Sequence, residues 1–290
     1  MTFAGKTILM AILVVGTLLS AVVMHLSGDD SFQRLRRAGS IRIGYAVEPP
    51  YAFLKPGGMV TGESPEVAKK IVRILGIPRI EWRQSEFDLL IDELESERID
   101  VIAAGMFITI ERASRVLFSE PTFHVLQGLL VIRGNPRHLH SYEQFLQLKD
   151  AKIAVLHGAV EATLLRWMGL PEPQIVFVPD VLTGRVAVES GIADGLALSS
   201  PTIQWMVLHD RLGKTEMARP FDQPGGLDWA RWGFGAFVFR KGDRALQTAW
   251  NEAQKGFIGS HEHRDLVGKF GFDRAEAAGS VTTAEVLGRQ

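Results

Sequence analysis

The stretch Asp100-Val-Ile-Ala-Ala-Gly105 most restricts the fold of this chain. It is short, apolar without alternation, and bounded by a charge and a glycine. Such a run suits a parallel strand covered on both faces rather than a half-solvated one. Its neighbours fit the same picture. Ile41 to Ala46 alternates and stops at Glu48-Pro49-Pro50, a strand running into a loop. Tyr51-Ala-Phe53-Leu and Met59-Val60-Thr61 flank the turn cluster Lys55-Pro-Gly-Gly58, which predicts a hairpin. Ser64-Pro65-Glu66 reads as a helix start with Ser64 as the cap. Val67, Ala68, Ile71, Val72 and Leu75 share one helix face before Gly76. Ile80-Glu-Trp82 predicts a strand, and Phe87 to Glu97 a helix with Leu90, Ile91 and Leu94 inward.

The same alternation returns later. Strands are predicted at 152–155, 175–178 and 195–198, with helices at 160–168 and 183–190. The chain is therefore expected to be α/β, with two α/β lobes. Gln127 to Arg133 and Trp232 to Phe239 read as two crossing segments, and a helix from Asp243 to Ile258 closes the first lobe. The expected units are 29–126 plus 230–275 for lobe 1, 127–229 for lobe 2, and a tail at 276–290. A second lobe inserted into the first makes a hinge and a cleft, a common place for a small ligand.

Composition narrows the function. The 290 residues carry a formal net charge of −1 and no cysteine. Near-neutrality argues against nucleic acid as a partner, and the missing cysteine removes disulfides, thiolate zinc sites and cysteine lipidation. Lys6 is the one charged side chain before Asp29, and the intervening segment is largely apolar. Residues 1–28 are expected to be a cleaved signal peptide or a retained membrane anchor. His261-Glu-His263 is a poor metal pattern, since helical residues two apart point to different faces. No phosphate loop or nucleophile elbow is present, and neither a cofactor nor a metal is expected.

Gly105-Met-Phe-Ile-Thr-Ile-Glu-Arg112, followed by Phe118-Ser-Glu-Pro121, is the most specific segment. A buried strand ends at Gly105 and a helix is predicted to begin near Thr109. Strand C-termini and helix N-termini are where ligands bind in open α/β sheets. Arg112 could offer a bidentate fork to a carboxylate there, or could simply pair with Glu111 or Glu120.

This segment resembles the signature of the bacterial extracellular solute-binding proteins of family 3. The similarity runs from about Ile41 to Phe272 and includes Gly62-Glu-Ser-Pro-Glu66, Ala154-Val-Leu-His-Gly158, Ala193-Asp-Gly195 and Gly233-Phe-Gly-Ala-Phe237. The resemblance implies a two-lobed periplasmic-binding-protein type II fold, a small-molecule ligand, an ABC-transporter permease as partner, and a monomer outside the cytoplasm. It implies that Arg112 grips a ligand carboxylate, with Gly105 and Thr109 helping.

Typical members hold an α-ammonium with an acid in the second lobe, where this chain has Ser199. A hydroxyl cannot supply the charge that a buried ammonium needs. The chain is similar to the ectoine- and 5-hydroxyectoine-binding subgroup, which implies an aromatic box of Tyr51, Phe87 and Phe107 around a delocalised cation, with Glu48 on the ring nitrogens. Tyr51 and Phe87 exchange Phe and Tyr relative to the subgroup. Each aromatic taken alone is more often a core residue than part of a cation box. In the second lobe the family's Gly-Thr is Gly158-Ala159, where the amides of Ala159 and Val160 can still donate and His157 stands adjacent. Polar amino acids, opines and a cyclohexadienyl-dehydratase-like activity are alternatives on this scaffold. An anchored sensory lobe pair is a further one.

Overall fold

The computed structural model describes residues 28–226 and 232–288. The leader expected at 1–28 therefore lies, Gly28 apart, outside the described residues. Among the described residues no helix is long and apolar enough to cross a membrane.

The chain opens with α1 (Ser31–Ala38), β1 (Ser40–Tyr45), the hairpin of β2 (Phe53–Leu54) and β3 (Val60–Thr61), and α2 (Glu63–Ile74). β4 (Arg79–Gln84), α3 (Leu90–Glu95), β5 (Val101–Ile102), α4 (Ile110–Arg115), β6 (Val116–Phe118) and β7 (Phe123–His124) follow. Next come β8 (Gln127–Ile132), α5 (Glu143–Gln147), β9 (Ile153–Leu156), α6 (Val160–Trp167), β10 (Ile175–Val178), α7 (Val181–Glu189), β11 (Gly195–Ser199), α8 (Ser200–Leu208) and β12 (Thr215–Met217). The return carries β13 (Phe234–Gly235), β14 (Val238–Arg240), α9 (Arg244–Lys255), α10 (His261–Gly268) and α11 (Thr283–Gly288).

One five-stranded sheet has the order β4-β1-β5-β14-β6, the other β10-β9-β11-β8-β12. In the first, β1 is parallel to β4 and β5, while the returning β14 is antiparallel to β5 and β6. In the second, β9 is parallel to β10 and β11, and β8 runs antiparallel to β11 and β12. Each sheet is thus parallel where helices alternate with strands, with antiparallel strands where the chain enters and returns. Ile41 and Ile43 of β1 pack with Val67, Ile71 and Trp250 on one side of the first sheet, and Leu90, Leu94 and Ile102 lie on the other.

The two strands that join the lobes are β7 and β13, antiparallel to each other with Phe234 opposite His124. The expected crossing segments need refining. Gln127 to Ile132 is an internal strand of the second sheet, and Val238 to Arg240 belongs to the first. Both are long buried runs, and linear pattern does not distinguish a crossing strand from a strand just past the crossing. The chain beyond α10 also reaches the crossing. Ala277 bridges Phe123, the Glu276 carbonyl accepts from His124, and Thr283 donates its amide to Glu120 Oε2 at 2.8 Å.

Other differences are local. Ser64 does not cap α2. Gly62 stands at the cap, and the Ser64 hydroxyl donates to Glu63 Oε2 and accepts from the Gly105 amide at 3.1 Å. Phe87 to Leu89 is a 3₁₀ turn rather than α-helix. The strand expected over 100–105 pairs only at Val101 and Ile102, because the chain leaves the sheet and turns at Gly105, φ +64°.

Asp100 marks the start of that strand with a buried carboxylate. It accepts from the Arg42 amide at 2.9 Å, from Arg42 Nε at 3.0 Å and Nη2 at 2.7 Å, and from Arg240 Nη2 at 3.2 Å. The Arg42 bonds hold its carboxyl below the ordinary range against the opposing effect of burial. Removing one partner of such a cluster leaves the others uncompensated. Asp100→Ala is expected to lower unfolding free energy by about 3 kcal/mol in denaturant titration. A loss below about 1 kcal/mol, as for a surface ion pair, contradicts this account.

Candidate ligand-binding cleft

The loop after β1 carries Glu48 and Tyr51. It closes on itself, with the Glu48 amide donating to the Ala52 carbonyl at 2.9 Å and the reverse bond at 3.1 Å. Both side chains are therefore presented from one short rigid turn. The Tyr51 ring lies against Gly105, where a Cβ would fall 2.4 Å from ring carbon Cδ1. Tyr51 also packs on Phe123 and Phe272, with centroids 5.1 and 5.4 Å away. Phe107 bridges Gly235 of the crossing strand and meets the Phe123 ring edge-on at 6.1 Å. The aromatic wall is thus built on the hinge itself.

Thr109 caps α4, its hydroxyl accepting from the Arg112 amide at 3.2 Å. That cap places Arg112 one turn in. Its guanidinium donates from Nη1 to the Phe107 carbonyl and from Nη2 to the Gly158 carbonyl, both at 2.8 Å, and its Cζ lies 5.5 Å from the Phe87 centroid. The two bonds leave donor capacity on the fork. The alternative partners do not take it up: the Glu120 carboxylate accepts from Thr283 instead, and Glu111 lies exposed.

Glu48, Tyr51, Phe87, Phe107, Arg112, Val160 and Ser199 line one cleft between the lobes, with about 310 Å³ of space between atoms, part of it open to solvent. Thr109 is not on this wall. It faces a wider outer groove that also takes Arg112, Glu111, His157 and Trp232. The Thr109 hydroxyl accepts from the backbone of α4 as its cap and keeps its own proton to donate. His157 is exposed and stacks on Phe177 at 4.9 Å. His261 and His263 point apart: the first is exposed beside Asp265, the second is buried against Phe257.

The structure adds Glu161, buried in the second lobe and lining the same cleft. An acid in the first turn of a helix ordinarily reads as a solvated complement to the helix dipole, and this one gave no other signal. It lies close enough to Arg112 for each charge to favour the other. Burial pushes the Glu161 carboxyl up to about 7, opposed by the Arg112 charge and the Gln127 side chain. Burial likewise pushes Glu48 up to about 7, against a hydrogen bond from Thr202. The same burial brings Arg112 down to about 10, so it stays a cation at neutral pH. One guanidinium therefore faces two carboxyls among three aromatic rings. A ligand with a carboxylate at one end and a cation at the other would satisfy all three.

The lobes meet tightly here. Tyr51 Oη donates to Ser199 Oγ at 3.0 Å and Thr202 Oγ1 donates to Glu48 Oε1 at 2.8 Å, both across the cleft. Gly158, φ +72°, lies where a Cβ would come 2.8 Å from Asp88 Cβ in the other lobe. Gly158→Ala is expected to hold the lobes apart, raising the radius of gyration in small-angle scattering and weakening ligand binding by ~10-fold or more. Unchanged scattering and affinity would remove Gly158 from the closing seam.

Comparison with known proteins identifies the family and the fold. The family model for bacterial extracellular solute-binding proteins, family 3, matches residues 41–273. A probable amino-acid ABC transporter periplasmic-binding protein of Sinorhizobium fredii is 34% identical over 250 residues, covering 86% of this chain and 82% of that protein. The crystal structure of EhuB in complex with hydroxyectoine superposes with a TM-score of 0.81 at 29% identity, covering 89% of this chain and 98% of that one. An ancestral amino acid-binding protein, a precursor of cyclohexadienyl dehydratase, shares the fold with a TM-score of 0.72 at 24% identity, over 82% of this chain and 98% of that one. The chain belongs to the bacterial extracellular solute-binding proteins, family 3.

Proposed function

We propose that this protein captures ectoine or 5-hydroxyectoine outside the cytoplasm and delivers it to an ABC permease. The observation that carries the reading is the single cleft shared by Arg112, Glu48, Glu161 and the rings of Tyr51, Phe87 and Phe107. The ligand carboxylate sits on the free donors of Arg112, a charge-assisted fork. Its delocalised cation lies among the ring faces, each good contact contributing roughly 0.5–2 kcal/mol. The cation's N–H groups reach Glu48 and Glu161. The Val160 amide and the Ser199 hydroxyl complete the second-lobe side, since the Ala159 amide donates to the Leu156 carbonyl at 3.1 Å. The hydroxyectoine complex of EhuB supports this ligand class. The protein acts as a monomer, and residues 1–28 export it or hold it at the membrane.

Lobe closure is selective only as far as the ligand prefers the closed form over the open one. A polar amino acid is the principal rival ligand, because Glu161 restores an acid that could hold an α-ammonium. Enzymatic turnover is a lesser rival. It would use a raised carboxyl as general acid, and a cyclohexadienyl acid incubated with the protein is expected to stay unchanged.

Calorimetric titration is expected to give ectoine a Kd of ~1 µM or tighter, and Arg112→Ala to abolish binding without unfolding the protein. Unchanged affinity in that variant would sink the carboxylate anchor, and a response to amino acids alone would redirect the ligand. The pH dependence has a defined sign. Burial pushes both carboxyls up to about 7 in this closed cleft, and they must be ionised to hold a cation. Affinity should therefore rise from pH 6 to pH 8. A flat profile would show that neither carboxylate meets the cation.

A further inference from the structure

Three hydroxyls and one carboxylate form a chain that crosses between the lobes twice. Tyr51 Oη donates to Ser199 Oγ at 3.0 Å, Ser199 Oγ lies 3.2 Å from Thr202 Oγ1, and Thr202 Oγ1 donates to Glu48 Oε1 at 2.8 Å. Tyr51, Ser199 and Thr202 are all buried. Each hydroxyl has one proton. The proton of Thr202 is spent on Glu48, so Ser199 must donate to Thr202. With Glu48 ionised, every proton in the chain points the same way and none is left over. What remains facing the cleft is acceptor capacity: lone pairs on Tyr51 Oη and Ser199 Oγ, and the second oxygen of Glu48.

We propose that Thr202 is a specificity-determining positioning residue: by ordering this chain it makes the wall of Glu48, Tyr51 and Ser199 accept without donating. The cleft then admits ligands that present N–H or O–H groups at the end opposite their carboxylate. It rejects ligands with a carbonyl or second carboxylate there, whose oxygens would meet only lone pairs. Thr202 itself does not line the cleft. It acts through Glu48 and Ser199. The inference rests on the placement of the ligand carboxylate at Arg112 given above; the chain itself joins the two lobes in this closed arrangement.

The groups facing Glu48 are Arg112 of its own lobe, Glu161 across the cleft, Tyr51 beside it, and Glu86 and Asp180 along a separate groove that Glu48 also lines. Of its neighbours, Thr202 is the one that donates to it and favours its charged form. The primary test is ligand-free. With ¹³C-labelled glutamate, the Glu48 carboxyl should titrate at higher pH in Thr202→Val than in the wild type, and Thr202→Ser should restore it. Ser199→Ala, which breaks the chain one step earlier, should shift it less in the same direction and serves if Thr202→Val does not fold. An unmoved Glu48 titration overturns the proposal.

Binding supplies the second arm. At pH 8 Thr202→Val should weaken ectoine binding by ~10-fold, the loss of a hydrogen bond to a charged group. Its affinity-against-pH profile should move to higher pH with the carboxyl. The wild type should prefer 4-guanidinobutyrate over glutarate, chains with a donor and an acceptor end, by ~100-fold or more. Equal or tighter binding of glutarate overturns the acceptor-only wall. Failure of ectoine to bind the wild type would instead remove the ligand reading, and the carboxyl titration would still decide the role of Thr202.

Discussion

The Arg112 guanidinium, drawn out of bulk water and set against two carboxyls, governs what this cleft can hold. Taking such charges from water is costly unless they find partners. In the present closed arrangement Arg112 rests on two neutral carbonyls, those of Phe107 and Gly158, and on the Phe87 ring. A ligand carboxylate would add a charged acceptor to that set, and charge-assisted bonds are roughly twice as strong as neutral ones. Glu48 and Glu161 are in the complementary position: burial raises both, the Glu161 charge raises Glu48 further, and a cation between them would restore the charged form. On the proposed reading, a zwitterion adds a charged partner to Arg112 at one end and to Glu48 and Glu161 at the other.

That requirement explains why the site lies at the junction. Glu48, Tyr51, Phe107 and Arg112 come from the first lobe, Glu161, Ser199 and Thr202 from the second, and neither lobe alone surrounds a ligand. Closure brings backbone to backbone at Gly158 and hydroxyl to carboxylate at Thr202. The crossing strands are held from behind. Phe123 supports the Tyr51 and Phe107 rings on one side and bridges Ala277 of the tail on another. The aromatic wall, the hinge and the C-terminal segment therefore share one residue. Movement of the hinge is felt directly where the ligand cation would sit.

Much of this was legible in the linear chain, for reasons that can be named. The α/β alternation is a burial pattern, and burial pattern is periodic. Arg112 follows a strand end and a helix cap, both of which leave local marks. Tyr51, Phe87 and Phe107 became a group through family resemblance, since each alone suits a core. Glu161 and Thr202 left no such mark. A glutamate at a helix start and a threonine after Ser-Ser-Pro look like ordinary surface and capping chemistry. Their roles arise from which lobe they oppose, and pairing across a hinge has no sequence period. The same holds for Gln127 to Ile132, whose apolar run fits a crossing strand as well as the sheet strand it forms.

The exchange of Tyr and Phe at 51 and 87 gains a physical sense from these contacts. A buried phenol needs a hydrogen-bond partner. At position 87 the ring lies beneath a guanidinium, where its face matters. At position 51 the hydroxyl reaches Ser199, and Ser199 is where the family resemblance places an acid. An ionised acid there would face Glu48 and Glu161 in a cleft with one compensating arginine, so three carboxylates would crowd one cation. A serine relieves that repulsion, gives Tyr51 an acceptor, and passes the proton order on to Thr202. The negative charge of the second lobe is then carried at the start of α6 by Glu161 instead of at the end of β11. Tyr51, Ser199 and Glu161 are in this sense coupled: an acid at 199 would add a third buried negative charge, and a side chain there without an acceptor would leave the Tyr51 phenol unpaired.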